Sequence, residues 1–311
     1  MLRGVAVVPT DETVWQQARL VELHRPRVIE TDPPSRTYRY FLPCRDLECL
    51  ARQLSAARDR VVLLGAGDFH HLTAALVNAL LAPQAPEAAC PWRDPSPSPA
   101  PGRPLAVVII DAHPEWSLPP PGYVHCGSWL PELLAWPRVQ AVALVGVGPL
   151  EAQGLLGSAV LQGIATAARE GRLRVYPVRR STVQELHAAL RWPDPLVSLE
   201  DGFDALAADL IEYLAGHTLY LSVDKDAVRP EELPGGWGGG EMPADAVLEL
   251  VRALAAALPL AGADVCGEYA SRMPALAGSD PGLVLHELFN LRLLEALLAA
   301  GRRPDACGRA A

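Results

Sequence analysis

The chain lacks several features that would assign it to a familiar class of protein. No apolar stretch reaches membrane-spanning length without a charge or a proline. The N-terminal segment 1–9 is too short, and too soon interrupted by proline, for a signal peptide. The 311 residues carry a formal net charge of −9, and an acidic surface disfavours nucleic acids and anionic membranes. We therefore expect a cytoplasmic protein that binds neither nucleic acid nor membrane.

The cysteine and glycine patterns argue against a disulfide-rich protein and against a dinucleotide-binding protein. The six cysteines include no CxxC pair, so the sequence predicts no disulfide framework. A GAG turn at 65–67 lacks the third glycine of the GxGxxG pattern, which argues against a dinucleotide site. What remains is an ordinary globular composition, 50% hydrophobic and 20% charged, with enough length for a large core.

Alternating strand and helix patterns predict an α/β fold. Near-continuous apolar runs, typical of strands covered on both faces, lie at Val5–Val8, Val61–Leu64, Leu105–Ile110, Ala141–Val147, Leu173–Val178, Thr218–Val223 and Leu260–Val265. Helical patterns lie at Leu47–Arg58, Leu72–Leu81, Gly163–Glu170, Val183–Leu190, Phe203–Ala215, Ala244–Leu258 and Leu283–Ala300. Strands that alternate with helices indicate a mainly parallel sheet with helices on both faces.

We interpret residues 1–311 as a single domain. The segment 83–104 holds eight prolines and little periodicity, so we expect an inserted loop there rather than a domain linker. The motifs on either side of this insert serve one site in our interpretation. Residues 302–311 are expected to form a frayed tail.

Acidic and imidazole side chains follow two of the predicted strands. Asp111, His113 and Glu115 come directly after one apolar run, and Asp224 and Asp226 follow another. In an extended backbone, side chains two residues apart point to the same side, so we expect each set to share a face. Four carboxylates gathered in one place repel each other unless cations lie among them. Carboxylate with imidazole suits Mn²⁺, Fe²⁺, Ni²⁺ or Zn²⁺, so a pair of divalent ions is predicted.

Histidines in two other segments are candidates for the same site. His70 and His71 follow the GAG turn at the end of a predicted strand, where metal ligands are often placed. His125 lies a few residues after the Asp111 segment and is a candidate proton shuttle or substrate contact. Cys126 beside it is expected to be a small buried residue rather than a nucleophile.

The ordered motifs GAGDFHH, DAHPE and SVDKD resemble the signature of the arginase/agmatinase (ureohydrolase) superfamily, in a divergent bacterial branch. The segment HCGS at 125–128 is also similar to the family pattern. The resemblance runs from about Val61 to Tyr269, roughly two-thirds of the chain. It implies a three-layer α/β/α sandwich around a parallel sheet of about eight strands, and a homo-oligomer, either a trimer or a hexamer.

The resemblance also implies a site with two divalent ions, Mn²⁺ foremost. The implied ligands are His70, Asp111, His113, Glu115, Asp224 and Asp226. Asp111 and Asp224 would bridge the ions. His113 and Asp226 would complete one ion, and Glu115 with a histidine from the first motif would complete the other.

Three positions depart from the family pattern. Phe69 stands where the family has a histidine, so His70 or His71 must substitute, and we prefer His70. Glu115 replaces an aspartate, which moves the carboxylate by about one bond length in a site that tolerates shifts of only about 0.2 Å. The Asp-Pro that follows the last ligands in the family is absent. These changes predict an altered metal preference or activity.

Metal-assisted hydrolysis of a C–N bond in a small cationic guanidino compound, giving urea and an amine, is our leading hypothesis. Glu115 would orient the attacking water and transfer its proton, and His125 would shuttle protons. The candidate substrate-binding residues are Trp237, Glu241, Asp245 and Glu268. Two alternatives stay open: a metal-dependent amidohydrolase or deacetylase acting on another amide or formimino bond, and a degenerate non-catalytic homologue that serves as a binding or assembly subunit.

Overall fold

A computed structural model describes residues 2–81, 103–149, 158–193, 196–235, 237–270 and 280–300. The predicted proline-rich insert, apart from its last two residues, and the predicted tail both lie outside these ranges. Among the described helices, none is long and apolar enough to cross a membrane.

An eight-stranded parallel sheet forms the centre of the molecule. The strands of the chain are β1 Val5–Val7, β2 Arg27–Val28, β3 Phe41–Pro43, β4 Val61–Leu63, β5 Leu105–Ile110, β6 Tyr123–His125, β7 Val139–Val145, β8 Leu173–Tyr176, β9 Thr218–Asp224 and β10 Leu260–Cys266. The sheet order is β2-β1-β4-β10-β9-β5-β7-β8, and every pair in it is parallel. β3 and β6 form a separate antiparallel pair.

Helices cover both faces of this sheet. Their bounds are α1 Ala18–His24, α2 Leu47–Leu54, α3 Leu72–Leu81, α4 Leu130–Ala135, α5 Ser158–Arg169, α6 Arg180–Leu190, α7 Phe203–Tyr213, α8 Ala244–Ala257 and α9 Pro281–Ala300. Alternate residues of β5 enter two different cores, Val107 packing with α2 to α6 and Val108 packing with α1 and α7 to α9. The predicted three-layer α/β/α sandwich is therefore confirmed.

All seven predicted strands are present, and the differences from prediction lie in short elements. β2 has only two residues, both exposed, so no apolar run marks it. β3 and β6 have three residues each and depend on pairing with one another. The helix predicted over Leu47–Arg58 ends earlier as an α-helix, at Leu54, and continues as a 3-10 turn.

The strand order places the predicted motifs side by side. β4, β10, β9 and β5 are consecutive neighbours in the middle of the sheet. In a parallel sheet all carboxyl ends lie at one edge, where open α/β sheets hold their ligands. The segments that follow these four strands therefore meet at one place.

Candidate metal centre

Turns, rather than extended strands, bring the ligand candidates together, so the predicted alternation along the strands is wrong. The Oδ1 atom of Asp111 accepts a hydrogen bond from the backbone N–H of His113 at 2.6 Å. Glu115 lies in the left-handed region with φ 57°. At the end of β9, Asp224 Oδ1 accepts from the Asp226 backbone N–H at 3.1 Å, at the start of a short 3-10 turn. The side chains converge because these turns fold them inward.

One group of ligand atoms surrounds His70. Its Nδ1 atom lies 3.0 Å from Asp111 Oδ2, 3.4 Å from Asp224 Oδ2 and 4.0 Å from Glu115 Oε1. All four side chains are buried. Imidazole and carboxylate oxygens at these spacings can share one cation.

A second group lies beside the first. His113 Nδ1 is 2.9 Å from Asp226 Oδ2 and 3.3 Å from Asp111 Oδ1. The two oxygens of Asp111 thus face different histidines, which is the arrangement expected of a carboxylate placed between two ions. His113 is partly exposed, so this side of the cluster opens towards solvent.

The structure places His70, not His71, among the carboxylates. The Nε2 atom of His70 lies 3.0 Å from Ser222 Oγ, and Ser222 in turn donates to Asp264 Oδ1 at 2.8 Å. This chain of hydrogen bonds orients the ring so that Nδ1 faces the ligand cluster, as outer partners of metal-binding histidines usually do. His71 is fully buried, and burial lowers its pKa to about 3.

The roles of Ser222 and Asp264 were missed in the sequence analysis. Both lie on the face that carries the cluster: Ser222 pairs in register with Asp264, and Asp224 pairs with Cys266 two residues further on. Side chains two residues apart on a strand share a face, so reading two residues back from Asp224 and from Cys266 would have identified Ser222 and Asp264. Burial raises the pKa of Asp264 to about 6, although His70 and the hydroxyl donors oppose that rise.

The cluster has an excess of negative charge. Burial, and then the neighbouring carboxylates, raise the pKa of Glu115 and Asp226 well above their ordinary values. Burial alone would lower the pKa of His70 and His113, but contacts with the aspartates outweigh it and raise these pKa values to about 9 and about 11. The same imidazoles hold the pKa of Asp111 below its usual value in spite of burial. Positive charge is therefore strongly favoured at this point.

Unpartnered atoms show that the residues fit a metal. His70 Nδ1, Asp111 Oδ2 and Glu115 Oε2 are buried and make no hydrogen bond of acceptable geometry with the described residues, although the first two atoms lie only 3.0 Å apart. A buried polar atom without a partner is costly, so such groups usually serve a ligand. These three atoms are an imidazole nitrogen and two carboxylate oxygens, and they lie beside other carboxylates that repel them. Such a set matches the ligands of a divalent cation.

A cavity of about 390 Å³ opens onto the cluster. His125 and Trp237 contribute to its wall, together with His70, His113, Glu115, Asp224 and Asp226. The Nδ1 atom of His125 accepts from the Gly127 backbone N–H at 3.0 Å, which leaves the ring proton on Nε2 when the ring is neutral. Burial lowers the pKa of His125, which favours this neutral form.

A buried aspartate holds Trp237 at the cavity. The indole N–H donates to Asp68 Oδ1 at 2.9 Å, and Arg39 bonds the other oxygen of the same carboxylate at 2.6 Å. The indole ring lies 6.2 Å from the ring of His113, edge to face. Trp237 remains 48% exposed, so part of its surface is free to meet a ligand.

The three carboxylates predicted to hold substrate have other partners and do not line this cavity. Glu241 forms an ion pair with Arg179. Asp245 is largely exposed and pairs with Arg292. The geometry therefore does not support Glu241 and Asp245 as substrate contacts, because each lies against an arginine rather than beside the ligand cluster.

Glu268 takes part in a fully buried network behind the turn that carries Asp224 and Asp226, called the ligand turn below. It forms an ion pair with Lys225, the residue between Asp224 and Asp226. The amides of Gln17 and Asn290 both donate to Glu268. Asn290 also donates to Gln17 and accepts from Lys225. The glutamate thus supports the ligand turn from below instead of facing the cavity.

No protein-family model matches the chain, and no curated relative matches it. Solved structures do match. Arginase from Bacillus subtilis is 15% identical, with a TM-score of 0.60, over 96% of this chain and 98% of that one. Proclavaminate amidino hydrolase from Streptomyces clavuligerus is 20% identical, with a TM-score of 0.53, over 90% of this chain and 78% of that one. A hypothetical agmatinase from Burkholderia thailandensis is 19% identical, with a TM-score of 0.50, over 89% and 70%.

The chain is thus an α/β/α protein with a parallel eight-stranded sheet between two helical layers. A cluster of candidate metal ligands lies at the carboxyl ends of its central strands. More narrowly, the fold is that of the arginase and agmatinase ureohydrolases. The resemblance inferred from the motifs is confirmed at the level of the fold, and identities of 15–20% mark a divergent chain.

Proposed function

We propose that this protein is a binuclear metal-dependent hydrolase that cleaves a C–N bond of a guanidino compound to give urea and an amine. One observation carries the proposal: ligand side chains that follow three of the four central strands of an arginase-like fold, β4, β9 and β5, meet in one cluster beside a single cavity. They are His70, Asp111, His113, Glu115, Asp224 and Asp226. A cytoplasmic location and a trimeric or hexameric assembly stay predictions.

The spacing of the ligand atoms supports two ions. In this proposal His70 and Glu115 hold one ion, His113 and Asp226 hold the other, and Asp111 lies between them with Asp224. Divalent ions such as Mn²⁺, or alternatively Ni²⁺, Fe²⁺ or Zn²⁺, supply Lewis acidity that makes water nucleophilic near neutral pH.

Glu115 and His125 are the proposed proton carriers. The Glu115 carboxylate lies within the cluster, with Oε1 4.0 Å from His70 Nδ1, and could accept a proton from the attacking water and return it to the leaving nitrogen. His125, neutral and protonated on Nε2, faces the same cavity and can donate to that nitrogen or relay protons to solvent. Both groups lie beside the cluster, which is where the bond would break.

The cavity wall, rather than the three carboxylates predicted earlier, supports recognition of a cationic substrate. Trp237 presents an exposed aromatic surface that can bind a cation through its ring face. We therefore propose that Trp237 contacts the substrate and that Glu241, Asp245 and Glu268, which do not line the cavity, do not contact it.

Urea release from a panel of guanidino compounds, with protein loaded with Mn²⁺ or Ni²⁺, tests the proposal. We expect turnover of at least one compound, and loss of that turnover in Asp226→Asn. Asp245→Asn is the matched control, because it neutralises an exposed aspartate that does not line the cavity and should leave the rate unchanged. Protein that holds two metals per chain yet releases no urea from any guanidine or amidine would refute the assignment.

A substitution of Glu115 tests the two alternative functions, an amidohydrolase or deacetylase and a non-catalytic subunit. The extra methylene of Glu115 favours either an altered hydrolase or a non-catalytic homologue, so Glu115→Asp should raise urea release if the longer side chain limits activity. Release of a carboxylate without urea would instead indicate an amidohydrolase or deacetylase. Fewer than two tightly held metals per chain, with no turnover in either form, would indicate a binding or assembly subunit.

A further inference from the structure

A thiol lies within the ligand cluster. Cys266 ends β10, is fully buried, and places its sulfur 3.1 Å from Asp224 Oδ2. One donor atom from each of His70, Asp224 and Cys266 lies within 4.8 Å of the other two. The sulfur is thus as close to these ligand atoms as several of the carboxylate oxygens are.

The sheet brings this sulfur to the site. Cys266 pairs in register with Asp224, so the two side chains stand next to each other on one face of the sheet. Gly267 then turns the chain with φ 76°, and a Cβ atom there would lie 2.2 Å from Asp224 Oδ1. This close approach requires glycine and holds the end of β10 directly against the ligand turn.

The known distances match the spacing of ligand atoms around a small divalent ion, to which Glu115 Oε1, 4.0 Å from His70 Nδ1, remains a further ligand. Ligand atoms around zinc with nitrogen, oxygen and sulfur ligands lie about 3.5 Å apart. Here His70 Nδ1 lies 3.4 Å from Asp224 Oδ2, and the Cys266 sulfur lies 3.1 Å from that same oxygen. Asp111 Oδ2, 3.0 Å from His70 Nδ1, is available as a fourth donor.

We propose that Cys266 is a sulfur ligand of the ion held by His70 and Asp224, and that this ion is therefore Zn²⁺ or Co²⁺ rather than Mn²⁺. The inference rests on the proposed metal centre. Thiolate is a soft ligand that favours zinc and cobalt, whereas Mn²⁺ prefers oxygen. When the ion binds, the thiol proton that now faces Asp224 leaves to solvent, and both the sulfur and the carboxylate oxygen become free to coordinate.

Cobalt substitution tests the proposal without measuring activity. Metal-free protein is loaded with Co²⁺, and the near-ultraviolet region is recorded for the sulfur-to-cobalt charge-transfer band. We expect a band in the wild-type protein, its loss in Cys266→Ser, and its retention in Cys126→Ser, which removes the other buried thiol at the cavity. Cys266→Ser should also weaken zinc binding by more than tenfold, since losing even an outer partner of a ligand costs about 10–100-fold.

Serine can keep the hydrogen bond to Asp224, so the substitution separates ligation from simple orientation of that carboxylate. A Cys266→Ser protein with an unchanged cobalt spectrum and zinc affinity would overturn the proposal. ¹¹³Cd NMR of the wild-type protein gives a second measurement that needs no variant, because a sulfur ligand moves the resonance strongly downfield. Bound metal without any sulfur signature overturns the thiol ligand alone, whereas failure to bind any metal overturns the metal centre as well.

Discussion

Asp264 is the most informative residue to change, because it acts on the ligand cluster without belonging to it. Its carboxylate is fully buried and accepts three hydrogen bonds, from Tyr220 at 2.6 Å, Ser222 at 2.8 Å and Thr73 at 3.1 Å. Ser222 is also the residue that orients His70. Asp264→Asn keeps the shape of the side chain but replaces one acceptor oxygen with a donor.

Two separate effects are expected from Asp264→Asn. At least one buried hydroxyl loses its acceptor, which should lower the free energy of unfolding by ~1–3 kcal/mol. The ring of His70 also loses part of its support, and losses of this kind weaken metal binding by about 10–100-fold. That factor corresponds to ~1.4–2.8 kcal/mol of binding free energy.

Metal affinity, measured by competition with a chromophoric chelator, and urea unfolding of the metal-free protein separate the two effects. Tyr220→Phe is the matched control, since it removes the donor to Asp264 Oδ2 and leaves the bond from Ser222 to Asp264 Oδ1 in place. It should lower stability while leaving metal affinity close to wild type. Wild-type metal affinity in a folded Asp264→Asn protein, or an equal loss of affinity in Tyr220→Phe, would contradict the proposed orientation of His70.

Three further predictions address the buried network behind the ligand cluster, the charge of the cluster, and Trp237 in the cavity wall. Lys225→Met should destabilise the protein by ~3–5 kcal/mol in urea unfolding, because it leaves the buried Glu268 without its counter-charge, and adding Glu268→Gln should recover much of that loss. Metal-free protein should lose stability as pH rises from about 6.5 to about 9 for His70 and to about 11 for His113, since their raised pKa values let the folded state bind protons that the unfolded state releases. Added divalent ion should abolish this slope, and a flat profile without metal would contradict the charge argument. Trp237→Ala should raise the KM for a cationic substrate about fivefold with little change in kcat, from a loss of ~1 kcal/mol of cation–π binding, and an unchanged KM would exclude that contact.

The fold could be predicted from the sequence because its signals are local. Parallel strands buried on both faces, such as Leu105–Ile110, are apolar throughout and stand out from the amphipathic helices between them. The elements that were missed, among them α1 and β2, are short or exposed and acquire their shape from neighbours rather than from their own residues. No periodicity in the sequence marks them.

The site was predictable only in part. The strand ends identified the carboxylates, but two adjacent histidines in one turn cannot be distinguished without knowing that Ser222 lies behind His70. Glu241 and Asp245 were predicted as substrate contacts, but in the structure each pairs with an arginine. Their arginine partners come from distant segments, and such pairing leaves no mark in a local pattern.

The buried network beneath the ligand turn joins the two ends of the described chain. Gln17, near the amino end, and Asn290, on α9, both bond Glu268, which in turn holds Lys225 between two candidate ligands. A growing chain cannot complete this contact until α9 has been synthesised, although the strands that carry the ligands are made much earlier. The turn that carries Asp224 and Asp226 would therefore gain this support only after α9 has been synthesised, and metal capture would follow the folding of the sheet.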